Sequence, residues 1–92
     1  MSVTVYVPTP FRRATNNRDR LEVEAPDVRR LLDELETSYP ALRGLVRNDQ
    51  GEVHHHVNVY VNREPIEDRD GLQTPLRSGD EVAIIPALAG GA

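Results

Sequence analysis

Cysteine and tryptophan are both missing from this 92-residue chain, and phenylalanine and methionine occur once each. The lack of cysteine excludes disulfides, thiolate metal sites, iron–sulfur ligation and a cysteine nucleophile together. With one Phe and three Tyr, the core has to be built from Val, Leu and Ile. No apolar run approaches the ~20 residues needed to cross a membrane. The opening "MSVTVYVPTP" reads as a strand and lacks a basic start followed by an apolar signal core, so the expected location is the cytoplasm. Positive charge is also scarce: eleven basic against fifteen acidic residues leave a net charge of −4. The basic residues, all of them Arg, are scattered among acids, which argues against a nucleic-acid-binding surface. A chain this short makes one domain, near the lower size limit for a single hydrophobic core.

What is present is strongly patterned. Val3, Val5 and Val7 alternate with Thr4 and Tyr6, the period of a half-buried strand, and Pro8 and Pro10 stop it. "FRRATNNRDR" reads as a polar loop, and residues 20 to 24 alternate again with Leu21 and Val23 inward, predicting a hairpin. Pro26 suits a first helical turn, with Asp27 at the positive end of the dipole. Val28, Leu31, Leu32, Leu35 and Tyr39 then follow one helical face until Pro40. "HVNVYVN" places Val57, Val59 and Val61 on one face and Asn58, Tyr60 and Asn62 on the other. Beyond it lies a turn-rich excursion anchored by Ile66, Leu72 and Leu76, then a Ser78-Gly79-Asp80 turn and the strand "EVAIIP". One helix among these strands predicts an α+β chain: a mixed sheet of four to five strands with the helix across one face. This order matches the β-grasp arrangement, in which the first and last strands lie parallel and central and the crossover takes the right hand. The expected division is a domain over 1–86 and a flexible tail over 87–92.

Side-chain chemistry offers little. His54 and His56 would point to one side of a strand, but catalytic zinc takes three protein ligands and only Glu52 stands near. Solvated histidines at a strand start, with no metal, are the expectation. The acids of "EDRD" (67–70) and "DELE" (33–36) read as a solvated charged face. No nucleophile elbow and no phosphate-cradling glycine loop is present, so no intrinsic catalytic residue and no bound cofactor are expected.

The chain closes on "AIIPALAGGA". Glycine loses the most conformational entropy on ordering, so a Gly-Gly end is either simple fraying or an arm that enters another molecule. A terminus offers one group that no internal residue has, the α-carboxylate. It is inert to nucleophiles until adenylation by magnesium ATP supplies a leaving group. Glycines let an enzyme approach the terminal carbonyl without a Cβ clash. Six extended residues reach about 20 Å.

The run "GLQTPLRSGDEVAIIPALAGG" resembles the C-terminal signature of the ubiquitin-like sulfur carriers, which include the small subunit of molybdopterin synthase and the thiamine-biosynthesis carrier. "HHHVNVYVNREPI", the "SGDEV" turn and "IIPALAGG" are most similar to the cysteine-biosynthesis carriers that serve a PLP-dependent synthase. The resemblance implies a carrier and co-substrate, not an enzyme, which fits a chain that has no thiol of its own. An activating enzyme of the ubiquitin type would adenylate Gly91, and a sulfur donor would convert it to a thiocarboxylate. That sulfur attacks an aminoacrylate held on PLP in the synthase; an S-to-N acyl shift follows, and a zinc metallopeptidase releases cysteine. Leu88, Ala89 and Gly90 match the segment that threads into the partner. Ala92 departs from the pattern and reads as a cap that a peptidase removes before Gly91 can work. Delivery to molybdopterin- or thiamine-type pathways is the alternative within the family, and a β-grasp interaction module or protein modifier without sulfur chemistry is the alternative outside it. Tyr60 and Phe11 are the candidate partner contacts, and a monomer is expected.

Overall fold

The structure is a computed structural model and describes residues 2–86. Five strands form one sheet: β1 (Val3–Tyr6), β2 (Arg20–Val23), β3 (Val57–Val61), β4 (Glu64–Pro65) and β5 (Glu81–Pro86), in the order β2-β1-β5-β3-β4. The one α-helix among the described residues, α1 (Val28–Ser38), lies across one face of it. β1 and β5 run parallel, while β1–β2, β3–β5 and β3–β4 are antiparallel. This is the mixed β-grasp sheet the element order predicts, with β5, the last of the described strands, held between β1 and β3.

The inward residues follow from strand alternation. Val3, Val5, Leu21, Val57, Val59, Val61, Val82 and Ile84 are all buried and meet Val28, Leu31, Leu32 and Leu35 of α1. Asp27 caps the helix, its carboxylate accepting from the Arg30 N–H at 2.8 Å. Pro26 therefore stands before the cap and not in the first turn. It has a different task, because its carbonyl accepts from the Leu76 N–H at 2.9 Å. Together with Val28 N–H donating to the Thr74 carbonyl (3.1 Å), this stitches the turn-rich excursion to the helix entrance. Thr74 is fully buried and its hydroxyl donates to the Gly71 carbonyl (2.7 Å) and accepts from the Asp70 N–H (3.1 Å), so no polar group is left unpaired there.

Two segments differ from the sequence reading. Thr9–Thr15 is a 3-10 helix within the expected loop, and it turns Phe11, Ala14 and Thr15 inward. Phe11 is only 8% exposed and belongs to the core, which withdraws it as a partner contact. The physical reason is local: Pro10 suits the first turn of a helix, and the 11/14/15 spacing sets one apolar side against the sheet. The second segment is the connection after Pro40. Arg47, 8% exposed, reaches back to α1 and forks onto Glu36 (Nε 3.0 Å, Nη2 2.9 Å) while Nη2 also meets Asp33 at 2.7 Å. Two carboxylates of "DELE" are thus structural. The hydrogen bonds it donates to Glu36 and Asp33 raise the Arg47 pKa above its ordinary value against the opposing effect of burial.

Candidate functional site

The face of the sheet away from α1 carries the alternate residues of every strand. Their registers place Arg20, Tyr6, Ala83, Tyr60 and Pro65 in one row across all five strands. Ala83 is the small residue at the centre, flanked by two tyrosines. Ile85, one step further along β5 and paired with Asn58, is 45% exposed, and Tyr6 is 38% exposed. Tyr6, Tyr60, Arg63, Glu81, Ala83 and Ile85 line a shallow concavity of about 350 Å³. Its floor is apolar and its rim carries both charge signs, the make-up of a protein-docking surface. Tyr60 lies where the sequence places it, on the outward side of β3 and part-exposed.

Arg63 reaches this rim through a strained turn. Asn62 (φ 50°) and Arg63 (φ 72°) both lie in the left-handed region and link β3 to β4 by a two-residue hairpin turn, in which glycine would ordinarily follow the Asn. Asn62 secures the turn: its N–H donates to the Glu81 carbonyl (2.8 Å), its Oδ1 accepts from the Glu81 N–H (2.9 Å), and its Nδ2 donates to Asp80 Oδ1 (3.0 Å). Asp80 Oδ2 accepts from the Arg77 N–H at 2.7 Å and closes the Ser78-Gly79-Asp80 turn, with Gly79 at φ 89°. Burial pushes the Asp80 carboxyl up, but the Asn62 amide, the Arg77 N–H and the charges of Arg69 and Arg77 more than offset it, leaving the pKa below its ordinary value. The start of β5 is thereby anchored beside the docking face. Tyr6, Ala83, Ile85 and Arg63 were not singled out by the sequence. The alternation of "EVAIIP" and the glycine-free Asn-Arg turn are the signals that could have found them.

The histidine run makes a compact turn before β3. His54 stacks on His56 with centroids 4.9 Å apart, His55 meets His56 edge-on, and His54 Nε2 lies 2.9 Å from the Gly44 carbonyl. With that nitrogen donating to a carbonyl, His54 serves the loop fold. Among the described residues no three His, Asp or Glu side chains gather as a metal site, and no helix is long and apolar enough to cross a membrane. Leu88, Ala89, Gly90, Gly91 and Ala92 lie outside the described residues; the last described position, Pro86, pairs with Val57 and follows Ile85.

Comparison with known proteins gives this surface a context. The model of the ThiS family matches residues 5–91. The sulfur carrier protein CysO of Mycobacterium tuberculosis is 34% identical over 93 aligned residues, covering 99% of this chain and all of that protein. Small archaeal modifier protein 3 of Haloferax volcanii is 43% identical over 61 residues, 66% of this chain and 65% of the modifier. Among solved structures, the complex of BexX with CysO from Amycolatopsis orientalis contains a chain with TM-score 0.89 and 31% identity, covering 97% of this chain and 99% of that one. That carrier is therefore seen bound to a partner protein. The fold, the match over nearly the whole chain and the full-length likeness to carriers agree: this chain belongs to the ThiS family of ubiquitin-like sulfur carriers.

Proposed function

We propose that this carrier takes sulfur as a thiocarboxylate on Gly91 and delivers it to a PLP-dependent cysteine synthase, once Ala92 has been removed. The observation that carries the reading is the likeness to CysO along the entire chain, joined to a family match that runs through Gly91. The chemistry balances simply. A carboxylate oxygen of Gly91 attacks the α-phosphorus of magnesium ATP and pyrophosphate leaves; sulfide from a donor enzyme then adds to the acyl carbon and AMP leaves. The carrier itself contributes no catalytic group. It supplies a docking face and a terminal acyl group, and Leu88, Ala89 and Gly90 enter the partner's channel. In the synthase the thiocarboxylate sulfur forms the new C–S bond, the acyl group shifts to the amine, and a zinc metallopeptidase hydrolyses the resulting amide.

While Ala92 is attached, the carboxyl of Gly91 is tied up in a peptide bond and a free carboxylate lies at least one residue, ~3.5 Å, from a site built for glycine. The test uses the full chain and a form ending at Gly91, each with ATP, magnesium and the activating enzyme of the same host, read by pyrophosphate exchange, and by intact mass once a sulfide donor is added. The form ending at Gly91 is expected to exchange and to gain one sulfur for one oxygen, and the full chain to do neither until a peptidase trims it. A thiocarboxylate that still carries Ala92 would overturn the trimming step, and no exchange by either form would overturn the carrier chemistry. The likeness to an archaeal modifier favours a second reading, in which the activated terminus is captured by lysine amines of target proteins. That reading expects high-mass conjugates in host extracts, whereas the first expects free carrier bearing sulfur or cysteine.

A further inference from the structure

β2 is an edge strand, hydrogen-bonded to β1 on one side and, among the described residues, to no strand on the other. Its register fixes which backbone groups face outward. Val7 N–H donates to the Asp19 carbonyl (2.9 Å), which makes Val7–Asp19 a hydrogen-bonded pair. Antiparallel pairs alternate, so Val5–Leu21 and Val3–Val23 are also of that kind, and the N–H and C=O groups of Arg20 and Glu22 point away from the sheet. The exposed edge thus offers two donors and two acceptors, spaced for one more antiparallel strand.

The side chains along this edge read Arg18-Asp19-Arg20-Leu21-Glu22-Val23-Glu24. Laid antiparallel on a second copy of itself about Leu21, the segment sets Arg20 opposite Glu22 and Arg18 opposite Glu24, and the twofold repeats both pairs. Neighbouring registers fail. Centring on Arg20 opposes Arg20 to itself, centring on Glu22 opposes Glu22 to itself, and centring on Val23 sets Glu22 against Glu24. The register about Leu21 also makes Arg20 and Glu22 directly opposed, hydrogen-bonded partners, as their outward backbone groups require. At Arg18 the pairing is through side chains, because its carbonyl already accepts from the Thr15 hydroxyl at 2.8 Å. Beside the edge a groove of about 640 Å³ runs between β2 and α1, with Leu21, Val23, Leu35 and Tyr39 along it. A twofold normal to the sheet joins the two grooves into one seam and puts both helices on the same side.

We propose that the unpartnered edge of β2 pairs with β2 of a second copy of this chain, centred on Leu21, to give a ten-stranded sheet. This replaces the monomer expected from the sequence. A charged edge ordinarily protects a sheet against indiscriminate pairing; here the order of signs permits one self-pairing and opposes the rest. The docking concavity and Pro86 lie on inner strands, away from the seam, so both copies keep them free.

The test is sedimentation equilibrium of the full chain from micromolar to millimolar concentration, in low and high salt. Self-association that weakens as salt rises is expected. Two variants decide the register: R18E/R20E, in which positions 18, 20, 22 and 24 are all acidic, and E22R/E24R, in which the same four positions are all basic, both checked for folding by circular dichroism. Each alone should self-associate at least about tenfold more weakly than the parent, while the mixture forms a one-to-one complex. A chain that stays monomeric at millimolar concentration overturns the proposal, as does a dimer whose affinity neither variant changes or a mixture that does not combine. Since the sulfur chemistry is read by mass and exchange, failure here leaves the proposed function standing.

Discussion

Ile84 and Ile85 are consecutive residues of β5 in opposite surroundings: Ile84 is 3% exposed in the core and Ile85 is 45% exposed on the open face. They form a matched pair for testing whether that face docks a partner. Truncating Ile84 to Ala removes buried methylenes between sheet and helix and leaves a cavity, at a cost of about 2–5 kcal/mol. That is a large share of the ~5–15 kcal/mol that holds a domain together. Ile85→Ala shortens a side chain already close to half in water, so stability should move by no more than ~0.5 kcal/mol. Its effect should fall on binding. Burying an isoleucine fully is worth roughly 1.5–3 kcal/mol. The 45% that remains exposed is what a partner can still cover, giving ~0.7–1.4 kcal/mol. That corresponds to a rise in Kd of about three- to tenfold. Urea denaturation gives the stability of both variants. The carrier-concentration dependence of pyrophosphate exchange by the activating enzyme, with chains ending at Gly91, gives the docking effect. If Ile85→Ala leaves that dependence unchanged, the open face is not the surface the enzyme grips. If it destabilises the fold as much as Ile84→Ala does, the assignment of the two faces is wrong.

Three further outcomes follow from the packing. Arg47→Met should destabilise the chain by ~2–4 kcal/mol, less than a fully buried pair because Asp33 is 53% exposed; R47M/E36L should recover much of this in thermal unfolding, since the more buried carboxylate is then gone and Asp33 can be hydrated. Phe11→Ala should cost about 3–5 kcal/mol, measured by denaturant titration, whereas a surface contact would cost almost nothing. The Asp80 carboxyl has a lowered pKa in the fold, so its contribution is complete above the unfolded value near 3.8 and is lost as pH falls through the folded value. Asp80→Asn should therefore flatten the acid limb of the stability–pH curve below about pH 4, followed by circular dichroism.

Most of the architecture is legible in the sequence because it rests on short-range periodicity. The Val3/Val5/Val7 and Val57/Val59/Val61 alternations and the Val28–Leu35 stripe each state their own inward face, and the Ser78-Gly79-Asp80 turn states where β5 begins. What escaped depends on partners far apart in the chain. Arg47 looks like one more surface arginine until the connection returns it to α1, fourteen residues from Asp33 and eleven from Glu36. Phe11 looks stranded among polar neighbours because its apolar companions, Ala14 and the sheet, become visible only when the segment coils. The docking face was half legible. Alternation exposes Tyr60, and the element order predicts a central last strand, but the row Tyr6–Ala83–Tyr60 also needs the register of β5 against β1 and β3, which no local pattern reports.

The insertion of β5 between β1 and β3 also links the two parts of the proposed function. β5 sits at the centre of the sheet, parallel to β1 over Glu81–Ala83 and antiparallel to β3 over Val82–Pro86, and Pro86 is still paired with Val57 at its end. The candidate docking residue Ile85 and the proposed acyl group of Gly91 therefore belong to one continuous segment with a fixed root. Gly91 lies six positions beyond Ile85, so a partner that grips Ile85 can hold its catalytic centre no more than about 20 Å away. A ruler of this kind makes length matter more than composition. Deleting Ala87 withdraws Gly91 by up to ~3.5 Å, as large a displacement as the one Ala92 imposes in the other direction. In a chain ending at Gly91, that deletion should abolish charging while leaving docking intact. Replacing Ala89 by serine keeps the length and should leave charging close to the parent rate.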